Sequence, residues 1–111
     1  MKLAKDLVAA SSVPLVLSIL AEGDSYGYAI IQRVNELSVG EIAWTEGMLY
    51  PVLHWLEGER LIKGTWGTSD SGRKRRYYTL LPGGAKHLAE QKIQWLTVHA
   101  TLHRLWRRQH A

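Results

Sequence analysis

Apolar residues recur at helical spacing along most of the chain and alternate along one stretch, and the change of period marks out the elements. The clearest stripe lies in Thr45–Arg60, TEGMLYPVLHWLEGER, where Leu49, Val52, Leu53 and Leu56 stand at the i, i+3, i+4, i+7 spacing of one helix face. That face is expected to be core. Glu46, Met48, Tyr50, His54 and Glu57 fall on the other side, and Thr45 is placed to cap the helix. Pro51 lies inside the stripe, where a proline removes a backbone hydrogen bond and crowds the Gly47 carbonyl. The stripe keeps its phase through it, so one helix with a tight or distorted first turn is predicted.

The remaining elements follow in order. Leu3–Ala21 is helical, and Pro14 leaves two expectations: Ser12 caps a new helix at Val13, or one kinked helix runs through. Gly23 and Asp24 make a turn, after which Asp24 or Ser25 can cap a second helix over Tyr26–Leu37, with Tyr26, Ile30, Val34 and Leu37 as its stripe. Ser38, Val39 and Gly40 end it, and Glu41–Trp44 reads as extended. Beyond Arg60 the period becomes two. Ile62 and Trp66 face one way around Gly64, Tyr78 and Leu80 share a side of the return strand, and GTSDSG between them supplies the turn of a β-hairpin.

Pro82 opens a last helix from Gly83 to near the C-terminus, about 37 Å long for some 25 residues. Along it Trp95, Val98, Leu102 and Leu105 repeat at three- and four-residue steps, broadened by Leu88, Ile93 and Trp106. A small three-helix core cannot cover a stripe of that length, which predicts a partner helix from a second copy; the alternative is folding back on Leu3–Ala21. The fold predicted is mainly α with a small β-hairpin: a winged helix-turn-helix over residues 1–82 and a C-terminal dimerisation helix over 83–111, in one domain.

Composition narrows the function. The longest apolar stretch, Val13–Ala21, is under half of the roughly 20 residues a membrane helix requires, and the N-terminus has no continuous apolar signal core. A cytoplasmic protein with no membrane partner is expected. The absence of cysteine removes disulfides, thiol nucleophiles and thiolate metal sites. Fourteen Lys and Arg against ten acids give a net charge of +4, which favours an anionic partner. Four cations are consecutive, Arg73 to Arg76, bordered by Tyr77 and Tyr78; a phosphate-gripping wing fits them better than a solvated edge strand. His99 and His103 have chelating spacing but no third ligand nearby, so neither a metal nor a cofactor is predicted. With no glycine-rich phosphate loop and no nucleophile, acid and base set on one face, an enzyme is not expected.

The runs SILAEGDSYGYAIIQRV, EGMLYPVLHWLE and GRKRRYYTL resemble the PadR family of transcriptional repressors over nearly the whole chain. The single C-terminal helix is similar to the compact branch that includes multidrug-binding repressors. The resemblance implies a dimer that sets two recognition helices into successive major grooves of double-stranded DNA at an inverted-repeat operator, about 34 Å apart. It places Thr45, Glu46, Met48, Tyr50 and His54 near bases or backbone, and Arg73, Lys74 and Arg75 on phosphates or in the minor groove. Tyr50 has a competing role in packing against the second helix.

The resemblance also implies an aromatic plate at Trp95 facing its twofold mate and sandwiching a small aromatic effector, and the neutral to basic lining of Gln91, His99 and nearby Lys92 favours a neutral or anionic one. Gln91 and His99 share that face, and Leu7, Ala10 and Val13 could line the walls. Alternatively Trp95 is only core of a dimer seam made by Trp95, Val98, Leu102, Leu105 and Trp106. The chain departs from the family pattern at Met48 for threonine, at His54 and Trp55 for a basic pair, at Arg60 for a glycine and at Leu81 for a threonine cap. A second class of function is a winged-helix protein-interaction module without DNA binding, which the apolar Met48 and Trp55 favour.

Overall fold

The computed structural model describes residues 1–109 as α1 (Lys5–Ala21), β1 (Ser25–Tyr26), α2 (Gly27–Leu37), α3 (Glu46–Gly58), β2 (Ile62–Thr68), β3 (Lys74–Leu80) and α4 (Pro82–Gln109). The last two residues of the expected 83–111 helix lie outside the described residues.

α1 is one helix with Pro14 inside it, so the split at Val13 does not occur. Ser12 caps nothing; its hydroxyl, like that of Ser11, donates to the Val8 carbonyl. The bond that Pro14 cannot make belongs to the Ala10 carbonyl, and because Ala10 is exposed the lost partner is not a buried one. Pro51 likewise sits inside an unbroken α3, and the Thr45 hydroxyl accepts from the Met48 amide at 3.2 Å as expected of the cap.

At α2 the expectation needs correcting. Neither Asp24 nor Ser25 caps it: the N-cap is Tyr26, with no side-chain hydrogen bond, because Ser25 and Tyr26 are drawn into a strand. That strand pairs with β3, Ser25 opposite Tyr78 and Tyr26 opposite Tyr77, so the expected hairpin is a three-stranded antiparallel sheet of order β1-β3-β2. Leu37, expected on the stripe, is 59% exposed, and the buried face of α2 is Gly27, Ile30 and Val34.

α2 and α3 end alike. Leu61 N–H bonds the Leu56 carbonyl and Arg60 N–H that of Glu57; Gly40 N–H bonds Asn35 and Val39 N–H bonds Glu36. These paired bonds form Schellman caps, which place the residue after the C-cap in the left-handed region. Arg60 (φ 58) and Val39 (φ 53) hold those positions without being glycine. At the α3 exit the left-handed Arg60 stands where a glycine would be free of strain, which fits the glycine that the resemblance leads one to expect there.

The core is the C-terminal half of α1 (Val16, Leu17, Ile19, Leu20) against Ile30 and Val34 of α2 and Leu49, Leu53 and Leu56 of α3, closed by Trp44, Ile62, Tyr78 and Leu88. α4 joins it at Gly84, which is buried against the Leu61 carbonyl and the Leu80 side chain. Beyond Leu88 and the half-buried Gln91 the helix is exposed to its described end. At ~1.5 Å per residue its 28 residues give the molecule its long axis, 58 Å against 30 and 21 Å. Among the described residues no helix is long and apolar enough to cross a membrane.

Candidate nucleic-acid interface

The amphipathic pattern of α3 decides what it presents. With Leu49, Leu53 and Leu56 buried, Glu46, Gly47, Met48, Tyr50, Pro51, His54 and Trp55 are exposed. On a helix advancing about 100° per residue, Gly47, Pro51 and His54 lie nearly opposite the core. Glu46 and Tyr50 lean towards the sheet. Tyr50 is 47% exposed, yet its hydroxyl comes 3.2 Å from the Cβ position of Gly27, so the ring covers the start of α2 while its edge stays open. Met48 leans the other way, into a groove shared with α1.

The register of β3 sorts the four consecutive cations into different roles. Arg73 and Lys74 are exposed at the hairpin end. The Arg75 guanidinium lies 4.2 Å above the Tyr26 ring, which in turn meets Tyr77 edge-on at 5.7 Å. Arg76 turns inward: its guanidinium lies over Gly64, where a Cβ would have to push it aside, between Trp66 and Tyr78, and donates to Glu57 of α3 at 2.8 Å. The Glu57 bond holds this guanidinium above its ordinary range, and burial pushes the Tyr78 phenol up. Glu57, expected on the side of α3 away from the core, is therefore a strut that fixes the sheet against α3.

Of the residues expected at DNA, Glu46, Tyr50, Arg73, Lys74 and Arg75 line one groove of about 460 Å³ together with Tyr26, Tyr28 and Trp66. His54 lies in the adjoining groove with Pro51 and Arg76. Thr45 is at the helix cap and Met48 is on the far edge. Sequence reasoning left out Tyr26, Tyr28 (57% exposed) and Trp66 (70% exposed). The YGY run and a lone tryptophan before the hairpin tip were the available signals, but their convergence depends on β1.

The effector set is spread over two helices. Leu7 and Ala10 are exposed and Val13 half-buried on α1; on α4 the Trp95 indole N–H donates to Gln91 Oε1 at 3.2 Å, and His99 is exposed. His99 and His103 stack at 5.9 Å between centroids. The seam residues Val98, Leu102, Leu105 and Trp106 are 38 to 57% exposed. Gln91 and Trp95 are brought together, whereas the α1 residues are not joined to them by any of the grooves described.

The sequence profile of the "Transcriptional regulator PadR-like family" matches residues 16–90. The chain is 32% identical over 80 residues to the transcriptional regulator YqjI of Escherichia coli, an alignment covering 72% of this chain and 37% of that protein. The solved PadR-like transcriptional regulator of Bacillus cereus superposes with a TM-score of 0.81 at 30% identity, over 91% of this chain and 96% of that one. A transcriptional regulator from Clostridium thermocellum gives 0.82 at 26%, over 92% and 96%.

Proposed function

We propose that this chain, which belongs to the PadR-like family of transcriptional regulators, is a cytoplasmic homodimeric repressor that binds an inverted-repeat operator. In this reading α3 enters the major groove through Gly47, Pro51 and His54, with Thr45, Glu46, Met48 and Tyr50 at the flanks. Arg73, Lys74 and Arg75 grip the backbone alongside. The observation that carries it is the shared groove in which the exposed edge of α3 and the cations Arg73, Lys74 and Arg75 stand together. Gly47 and Pro51 leave the outermost surface of α3 low, so backbone and bases can come close to it.

The second copy is called for by the uncovered stripe of α4. Two such helices joined along Trp95, Val98, Leu102, Leu105 and Trp106 would set the two α3 helices at a fixed separation. A small aromatic molecule between the two Trp95 rings, bounded by Gln91 and His99 and by Leu7, Ala10 and Val13 of α1, would change that separation and so modulate operator binding.

Fluorescence anisotropy against the DNA upstream of its own gene, over a salt series, tests this reading. The expected result is affinity falling linearly in log–log salt, with Arg73→Ala plus Arg75→Ala, which removes four cations from the bound dimer, reducing the slope by about four. The exposed Trp55 and Met48, each 49% accessible, favour a second reading as a protein-binding winged helix. That reading requires no duplex to bind at any salt.

A further inference from the structure

The face of α1 turned towards α3 encloses, with the Glu41–Trp44 segment, a groove of about 680 Å³. This is within the size range of small-molecule sites, about 300–1,000 Å³. Leu3, Val8, Ile42, Met48 and Val52 form an apolar wall. Trp44 also borders it but is 6% exposed, too little ring to stack an aromatic ligand. Lys2 and Lys5 stand exposed at the rim, while the one acid there, Glu41, is engaged by the Met1 amino group at 3.6 Å. The Ser12 hydroxyl is already bonded to the Val8 carbonyl.

An aliphatic trough with two exposed cations at its edge matches a molecule that is hydrocarbon along its length and anionic at one end. We propose that the groove binds an aliphatic monocarboxylate, its chain against Val8, Ile42, Met48 and Val52 and its carboxylate at Lys2 and Lys5. This site shares no residue with the set proposed around Trp95: on α1 it uses Lys5, Val8, Ala9 and Ser12, not Leu7, Ala10 and Val13. Because Met48 and Val52 belong to α3, an occupant bears directly on the helix assigned to DNA. Binding itself is read on the protein alone, so its outcome is independent of whether DNA is bound.

The test is a titration of the full chain, labelled at methionine and isoleucine methyls, with decanoate below its micelle concentration. Saturable shifts are expected at Met48 and Ile42 with one decanoate per chain and none at Ile93 on α4. Lys2→Gln with Lys5→Gln should weaken decanoate about tenfold, in keeping with loss of a charge-assisted contact, and leave decanol unchanged. Ala9→Phe, which fills the groove, should abolish both; the Lys variants carry the test if that one does not fold. Silent Met48 and Ile42 methyls overturn the proposal. So does decanol binding as tightly as decanoate with no effect of the Lys changes. A Met48 methyl that moves on dilution without decanoate also overturns it, because a second copy then occupies the groove.

Discussion

Leu53 and Leu102 are the same side chain on stripes of the same helical period, and the fold treats them oppositely. Leu53 is fully buried among α1, α2 and α3, while Leu102 is 38% exposed on α4 with no other element over it. The winged part covers the stripe of α3 with its own elements: Leu17, Ile30, Leu49, Leu53 and Leu56 are at most 1% exposed. The distal half of α4 has almost no such cover. Ile93, Leu96, Val98, Leu105 and Trp106 are all at least half exposed. Helical periodicity thus identifies an apolar face without saying which molecule covers it, and only the covered half is specified by this chain alone.

The largest expected effect separates the halves directly. Leu53→Ala should cost about 3 to 5 kcal/mol in denaturant unfolding, the loss for a leucine cut from a tight core. Leu102→Ala should change stability by under about 0.5 kcal/mol at dilutions where the chain is monomeric. With Leu105→Ala added, it should abolish the rise of Tm with protein concentration that association produces. If Tm of the parent protein does not depend on concentration, α4 has no second copy over it and the dimer reading fails. Gly84→Ala probes the joint between the halves. A Cβ there meets the Leu61 carbonyl and comes 2.6 Å from Leu80 Cδ1, and backbone cannot yield as a side-chain tip can. A loss of about 3 kcal/mol is expected, together with a displaced α4 visible as changed operator spacing preference.

The halves also differ in how far they could be read in advance. α2, α3 and α4 were legible from their stripes, and Thr45 from its cap position, because these signals are local; α1 shows no such stripe, and Pro14 left it open as one helix or two. β1 was not: two residues are too few to show alternation, and Ser25 and Tyr26 become a strand only through Tyr77 and Tyr78 of β3. The cations at 73 to 76 are alike in sequence, and what singles out Arg76 is non-local, the bare Gly64 beside it and Glu57 on another element. Trp95 could be placed on its stripe, but nothing local says what lies across that stripe, and in this chain the stripe is left uncovered.

Within the core, the helix ends retain strain that can be relieved. Val39 is β-branched, 88% exposed and held at φ 53 by the cap of α2. A non-glycine residue in the left-handed region costs roughly 1–2 kcal/mol, and glycine gives back part of this in unfolded-chain entropy. Val39→Gly should therefore stabilise by about 0.5 to 1 kcal/mol, measured by denaturant midpoint at unchanged slope. A loss instead would mean that Val39 makes a contact in the assembly that the single chain does not show.

The smallest effect is electrostatic and also confined to the core. Arg33 of α2 donates to both oxygens of Glu22, at the end of α1, at 2.8 and 3.1 Å, and this holds the Glu22 carboxyl below its ordinary 4.5. A carboxyl whose folded pKa is depressed stabilises the fold above its unfolded pKa and loses that contribution as pH falls through the folded value. Glu22→Gln should accordingly lower Tm slightly at neutral pH, and the gap should close on acidification below 4.5. Both side chains are about half exposed, so salt should shrink the gap as well. The distal half of α4 offers the control: among the described residues Arg104, Arg107 and Arg108 have no carboxylate partner. Replacing them should leave the acid limb of the stability curve where it is. A shift of that limb would place their partner acids on a second copy, which would join the two halves of the molecule through the dimer and not through the chain.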